Sequence, residues 1–82
     1  MSETVYLGTL QEDLWSVAWR VQRLAGTIAI VVWVDEHGAI YAADEGSAPV
    51  SVTPAMLIGV YKAGASVQAI EEDLSAAGQR RP

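Results

Sequence analysis

The sequence predicts an α+β fold, in which a long N-terminal helix packs on a small antiparallel β-sheet and is followed by a C-terminal helical hairpin. Three observations lead to it: an apolar stripe at helical spacing near the N-terminus, a β-branched apolar run in the middle, and helix-starting residues before two later apolar stretches. With 82 residues, 51% of them hydrophobic and none of them cysteine, the chain has room for one domain without disulfide bonds. We expect that domain over residues 1–78 and a disordered basic tail over 79–82.

The first helix is predicted from a capping box and an apolar stripe. Thr9 and Glu12 have the spacing at which threonine and glutamate side chains satisfy the first N–H groups of a helix. We therefore expect a short edge strand over 4–7 and then a helix that begins at Leu10 and ends at Gly26. The core-facing stripe of this helix is Leu10, Leu14, Val17, Ala18, Val21, Leu24 and Ala25.

A β-hairpin is predicted at the centre of the chain. Residues 28–34 are apolar at both odd and even positions, which is typical of a strand buried on both faces. The turn residues 35–38 then lead to a return strand over 39–43, and a third short strand is expected over 50–52.

The C-terminal helical hairpin is predicted from capping residues. Thr53 and Pro54 open a helix over 54–63, while Ser66 caps a second helix that ends at Gly78. Gly59 is unfavourable inside a helix, which predicts that another backbone or a bulky ring, such as a tryptophan, packs closely there.

Catalytic and metal-binding motifs are weak in this sequence. The single histidine, His37, lies in a predicted turn, and no serine has the context of a nucleophile elbow. The acidic pairs 35–36 and 44–45 fall at opposite ends of a predicted strand, too far apart to share a metal ion. The glycines form no phosphate-binding loop. We expect a protein that is not an enzyme and binds no cofactor or metal.

The charge balance argues against two classes of partner. Ten acidic residues against five basic ones give a formal net charge of −5, which disfavours nucleic acid and anionic membranes and favours basic partners. The longest apolar run, 28–34, is too short to cross a bilayer, and residues 1–4 lack the basic start of a secretory leader. A cytoplasmic protein is expected.

Residues 61–70 resemble the helix–glycine–serine–helix stretch found early in many helix-turn-helix domains. The resemblance implies an alternative function, a DNA-binding regulator or an antitoxin-like protein. Against it, the helix after the turn carries Glu71, Glu72 and Asp73 where residues facing phosphates would be basic. The same three acids could instead form a face that docks a basic partner.

Two tryptophans are the sharpest candidate for a binding surface. At about 100° per residue, Trp15 lies roughly 120° and Trp19 roughly 160° from the centre of the core-facing stripe. With Gln22 and Arg23 they form a patch of the composition enriched at interface hot spots. The alternatives are a second face of the helix that is covered within the chain, a self-association surface, and a small-molecule pocket beneath Trp15, Trp19 or Tyr61.

The sequence thus predicts a small, acidic, non-catalytic protein-interaction module. Its partner is a protein, for which a basic surface would be favourable, or a second copy in a homodimeric accessory protein. Proteins of this size and composition include many phage and mobile-element inhibitors of a host defence or regulatory complex, which is the more specific version of the expectation. The predicted partner-binding residues are Trp15, Trp19, Gln22, Arg23, Tyr61, Glu71, Glu72 and Asp73.

Overall fold

The structure, a computed structural model, describes residues 4–80 and has an α+β architecture. Four strands form one antiparallel sheet in the order β1-β3-β2-β4, and two helices lie on one of its faces. A single 3-10 turn follows the third strand. The elements in chain order are β1 (Val5–Thr9), α1 (Leu14–Leu24), β2 (Ile30–Val34), β3 (Ala39–Asp44), the 3-10 turn (Glu45–Ser47), β4 (Leu57–Tyr61) and α2 (Val67–Gln79).

The predicted architecture is wrong in the order and type of its elements. The edge strand expected over 4–7 is confirmed as β1, which pairs with β3 at one edge of the sheet. The helix after it begins at Leu14 and not at Leu10, so the expected long N-terminal helix is shorter and follows a strand. The predicted helix over 54–63 contains the strand β4, and α2 is the only helix after it in the described residues. The predicted C-terminal helical hairpin therefore does not form.

Composition and sheet pairing explain why β4 is a strand. The segment combines β-branched Ile58 and Val60 with Tyr61, residues that fit a pleated surface better than a helix. The strand pairs antiparallel with β2, which supplies the backbone hydrogen-bond partners of an extended segment. The predicted helix opening at Thr53 makes only a turn, in which the N–H of Met56 donates to the carbonyl of Thr53 at 3.0 Å.

The loop before β4 replaces the third strand that was expected over 50–52. Its backbone turns back on itself, with the N–H of Val52 donating to the carbonyl of Pro49 at 3.1 Å. The loop also lies over the sheet face that the helices leave free, where Ala48, Val52 and Met56 pack on it.

The central hairpin and the cap of α2 are confirmed. Strand β2 lies inside the sheet between β3 and β4, and all five of its residues are buried. Its turn to β3 is held by the Asp35 carboxylate, which accepts from the N–H groups of His37 at 2.8 Å and Ala39 at 2.9 Å. Ser66 caps α2 by accepting from the N–H of Ala69.

Hydrophobic side chains form one core on each side of the sheet. The larger core lies between the sheet and the helices, and the smaller one lies between the sheet and the loop before β4. The smaller core has the buried members Val31, Trp33 and Ala43. The larger core has the buried members Leu7, Val17, Ala18, Val21, Ile30, Val32, Val34, Ile40, Ala42, Tyr61, Ile70 and Leu74.

Both termini of the chain carry predictions that the structure tests only in part. Gln79, predicted as the start of a tail, is the last residue of α2, and Arg80 is the C-cap of that helix. Arg81 and Pro82 lie outside the described residues, as do the first three residues of the predicted non-secretory start.

Candidate interaction surface

The outer side of α1 carries two half-exposed tryptophans. Trp15 is 43% exposed and Trp19 is 42% exposed, while Val17 and Val21 on the opposite side of the same helix are fully buried. The two indole rings meet edge to face, with their centroids 6.4 Å apart. Residues four apart on a helix are neighbours on its surface, so the α1 sequence places both rings side by side. We call Trp15, Trp19 and Arg23 the α1 patch.

An arginine network fixes the side of the patch that faces β1. Arg20 donates from one nitrogen to the backbone carbonyl of Leu7 at 2.7 Å and to the Glu12 carboxylate at 3.1 Å. The hydrogen bond from Arg20 lowers the pKa of Glu12, and a second bond from the N–H of Thr9 acts in the same direction. Glu12 is therefore ionised at neutral pH, and Arg20 is oriented before any partner arrives.

A shallow pocket of about 370 Å³ opens beside Trp19. Its walls are Ser16, Trp19, Arg20 and Arg23, so an aromatic ring stands next to two guanidinium groups. No acidic residue occurs within α1 itself. The pocket suits a side chain that combines an apolar part with a carboxylate, because guanidinium groups bind carboxylates with paired hydrogen bonds.

The predicted acidic face lies on the neighbouring helix α2. Glu72 and Asp73 are exposed and Glu71 is half-buried. Asp73 accepts a hydrogen bond of 2.6 Å from the hydroxyl of Tyr61, which joins α2 to β4.

Tyr61 itself is buried, with only 8% of its surface exposed, and belongs to the larger core between the sheet and the helices, the helix-side core. Burial raises the pKa of Tyr61, and the hydrogen bond to Asp73 adds to this shift. The hydroxyl therefore remains a neutral donor at physiological pH. The predicted site residues consequently fall into two groups: Trp15, Trp19, Gln22 and Arg23 on α1, and Glu71, Glu72 and Asp73 with Tyr61 around α2.

A row of aromatic rings on the opposite face of the sheet was not predicted. Tyr6 meets Tyr41 edge to face at 5.7 Å, and Tyr41 stacks on Trp33 at 6.0 Å. Strand pairing puts these three residues opposite one another, with Leu57 next in the row. Tyr6, at the β1 edge, is 57% exposed. The sequence signal is an aromatic residue at one position of each of three strands, but it becomes readable only when the strand order is known.

A second cleft has none of the predicted site residues in its lining. It measures about 730 Å³ and has Val34, Met56 and Ala77 among its apolar lining residues. Asp35, Glu36 and Arg80 also line it, and Arg80 donates to the backbone carbonyl of Leu57 at 3.4 Å. The pocket at Trp19 corresponds to the small-molecule pocket considered beneath Trp15, Trp19 or Tyr61.

His37 lies at the exposed tip of the β2–β3 turn, 3.6 Å from the carboxylate of Glu36. Among residues 4–80, no three His, Asp or Glu side chains are grouped closely enough to hold a metal ion. Over the same residues, no helix has the length and apolar content required to span a membrane.

Comparison with known proteins adds no assignment. The chain matches no protein-family model, no curated protein and no solved structure.

Proposed function

We propose that the protein is a non-catalytic protein-interaction module that binds its partner through the α1 patch. The observation that carries the proposal is the pair of half-exposed tryptophans on one side of a helix whose other side has Val17, Ala18 and Val21 fully buried. Large exposed aromatic pairs are unfavourable in water and are a common mark of an interaction site. The proposed compartment is the cytoplasm, as expected from the sequence.

The exposed parts of the two rings are large enough to contribute to binding. A tryptophan side chain buries up to about 250 Å², so each half-exposed ring leaves about 100 Å² for a partner to cover. At about 25 cal/mol per Å², covering both rings contributes roughly 5 kcal/mol before the costs of association are subtracted. Tryptophan and arginine are also the residue types that dominate measured hot spots.

The residues around the patch favour specific recognition over nonspecific hydrophobic association. Arg20 is held by Leu7 and Glu12, so a partner meets a guanidinium group whose position is already set. Arg23 is exposed and completes the wall of the pocket at Trp19. An inhibitor of a host complex and a homodimeric accessory protein would both use this surface.

The DNA-binding alternative is not retained as a proposal. Its first helix corresponds to the strand β4, and its second helix, α2, carries three acids and no base. A face of this charge would be repelled by the phosphate backbone.

The test is affinity selection of random peptides displayed on particles against the immobilised protein. We expect the enriched peptides to share a motif and to lose affinity about tenfold or more for Trp19→Ala and Trp15→Ala, which is the loss typical of a hot spot. Tyr6→Ala is the matched control, because it removes an exposed aromatic ring from the other face of the sheet. Peptides that bind both tryptophan variants as well as they bind wild type would refute the proposal, as would a selection that enriches nothing on a protein that is monomeric under the conditions of the selection.

A further inference from the structure

The two helices form a layer with opposite charges on its two halves. Helix α1 contains Arg20 and Arg23 and no acid, whereas α2 contains Glu71, Glu72 and Asp73 and no base. The helices pack against each other on one face of the sheet, and their outer sides are open in the described chain. Because Arg20 is paired with Glu12, the layer presents a strip of two tryptophans and Arg23 beside an acidic strip.

One charged side chain on each strip lacks a partner in the described part of the chain. Arg23, near the C-terminal end of α1, and Glu72, at the middle of α2, are both exposed, and neither side chain forms a hydrogen bond or ion pair among residues 4–80. The outer side of α2 also includes the small exposed residues Ala69 and Ala76, which flank Glu72 and leave room for a bulky ring. The strip on α2 is thus complementary to the α1 patch in charge and in shape.

Symmetry decides how two such layers can meet face to face. A two-fold axis that runs across the helices stacks α1 on α1 and α2 on α2, which brings like charges together. A two-fold axis that runs along the helices stacks α1 of one copy on α2 of the other, twice. Only the second arrangement pairs arginine with glutamate. It is the favoured one, because like-charge contacts across an interface cost affinity.

We propose that the occupant of the α1 patch is a second copy of this chain, docked through α2 in a two-fold symmetric dimer with the sheets outside. This inference rests on the proposed function, since it uses the same patch, and it names the partner. Trp15 and Trp19 of each copy cover the alanine-flanked side of α2 in the other, and Arg23 faces Glu72.

The size of the layer sets the expected strength. Helices of 11 and 13 residues are about 16–20 Å long and about 10 Å wide, which gives a projected footprint of roughly 400 Å² per copy. Because side chains protrude from the helices, the buried surface is larger than this projection, roughly 600 Å² per copy, which is the lower end for specific interfaces. We expect a dissociation constant in roughly the micromolar range.

The experiment measures molecular mass by sedimentation equilibrium over a concentration series. Arg23→Glu and Glu72→Arg are each expected to weaken the wild-type dimer about tenfold or more, because every reversal acts at both symmetric contacts. The double variant Arg23→Glu/Glu72→Arg is expected to regain most of the lost affinity, since the exchanged charges attract again. Trp19→Ala is expected to weaken the dimer to a similar extent.

Two variants control for net charge. Lys62→Glu changes the net charge as Arg23→Glu does, and Glu45→Arg changes it as Glu72→Arg does, but neither residue belongs to α1 or α2. Neither control is expected to weaken the dimer, and circular dichroism checks that each variant is folded.

Three results would overturn the inference: a wild-type monomer at all concentrations, a double variant weaker than both single variants, or controls as damaging as the reversals at the patch. A monomer whose selected peptides still depend on Trp19 would leave the proposed function standing and replace the second copy with a foreign partner. Failure of the peptide test together with a dimer insensitive to Trp19→Ala would remove both proposals.

Discussion

Tyr61 connects three parts of the molecule through one side chain. Its ring fills the helix-side core, its hydroxyl donates to Asp73 on α2, and its edge passes directly over Gly59. A Cβ atom at Gly59 would lie 2.5 Å from the hydroxyl oxygen of Tyr61 and 2.7 Å from the adjoining ring carbon. The glycine therefore gives the ring the space from which it reaches Asp73.

We expect Tyr61→Phe to lower the free energy of unfolding by about 1.5–3 kcal/mol at neutral pH, because a buried hydrogen bond to a carboxylate is lost. Folding raises the pKa of Tyr61, while the unfolded chain ionises near 10. The stabilisation is therefore complete below about pH 10 and is lost as the pH rises further, since the unfolded state releases its proton first. Denaturant titrations of both proteins at neutral and alkaline pH measure the difference, which should shrink above about pH 10.

Tyr6→Phe is the matched control for this prediction, because the same atom is removed from an exposed ring. Its effect at neutral pH should stay within about 0.5 kcal/mol. If the difference in the free energy of unfolding between wild type and Tyr61→Phe grew at alkaline pH, it would contradict the assigned direction of the pKa shift.

At the residue scale, sequence reasoning recognised Gly59 as a place of close packing but named the wrong ring and the wrong element. The low helix propensity of glycine was visible, and a bulky ring does pack there. The ring is Tyr61, two positions further along the same strand, and this spacing has meaning only once the segment is known to be extended. In a helix, positions 59 and 61 would instead face nearly opposite sides, and the ring of Tyr61 would not lie over Gly59.

The start of α1 shows how a local motif can be satisfied without starting a helix. The N–H of Thr9 donates to the Glu12 carboxylate at 2.9 Å, and the N–H of Gln11 donates to the Thr9 hydroxyl at 3.3 Å. Both contacts of the predicted capping box thus have counterparts, but they enclose a turn after β1. The helix begins one turn later, where Asp13 accepts from the N–H of Trp15 at 3.1 Å.

We expect Asp13→Ala to lower the free energy of unfolding by about 1 kcal/mol, the usual effect of losing an N-cap. It removes the bond to the N–H of Trp15 and a further bond from the Ser16 hydroxyl at 3.1 Å. Thr9→Ala should cost less than half as much, since Thr9 caps no helix. Thermal and chemical denaturation of the two variants measure this, and a larger effect at Thr9 would mean that the helix begins at Leu10 in solution.

At the element scale, strength of periodicity decided what could be predicted. The β2–β3 hairpin and the cap of α2 rest on strong local signals, a two-faced β-branched run and a serine before an apolar stripe. Strand β4 has no such signal, because five apolar or small residues bounded by turns fit a short helix as well as a strand. Its pairing with β2 decides the outcome, and that contact comes from residues far away in the sequence.

On the scale of the whole molecule, the sheet divides the aromatic residues between two surfaces. The period of α1 is enough to place Trp15 and Trp19 opposite its buried side, and the structure leaves both half exposed. The row from Tyr6 through Tyr41 to Trp33 depends on the strand order β1-β3-β2-β4, in which non-consecutive strands are neighbours. Sequence reasoning could therefore predict the helix surface and not the sheet surface.

The division between the surfaces leads to different expectations for Trp33 and Trp19. Trp33 is 4% exposed and packs in the smaller core beneath the loop before β4, so Trp33→Ala should lower the free energy of unfolding by about 3–5 kcal/mol. Trp19→Ala should cost less than about 1 kcal/mol when measured below the dissociation constant expected for the proposed dimer, because half of the ring already faces water. Above that concentration the cost of Trp19→Ala should increase, since the folded state is then also stabilised by association. Chemical denaturation at two protein concentrations separates these contributions. Equal, concentration-independent losses for the two variants would show that Trp19 supports the folded single chain, and the α1 patch would then be part of the core.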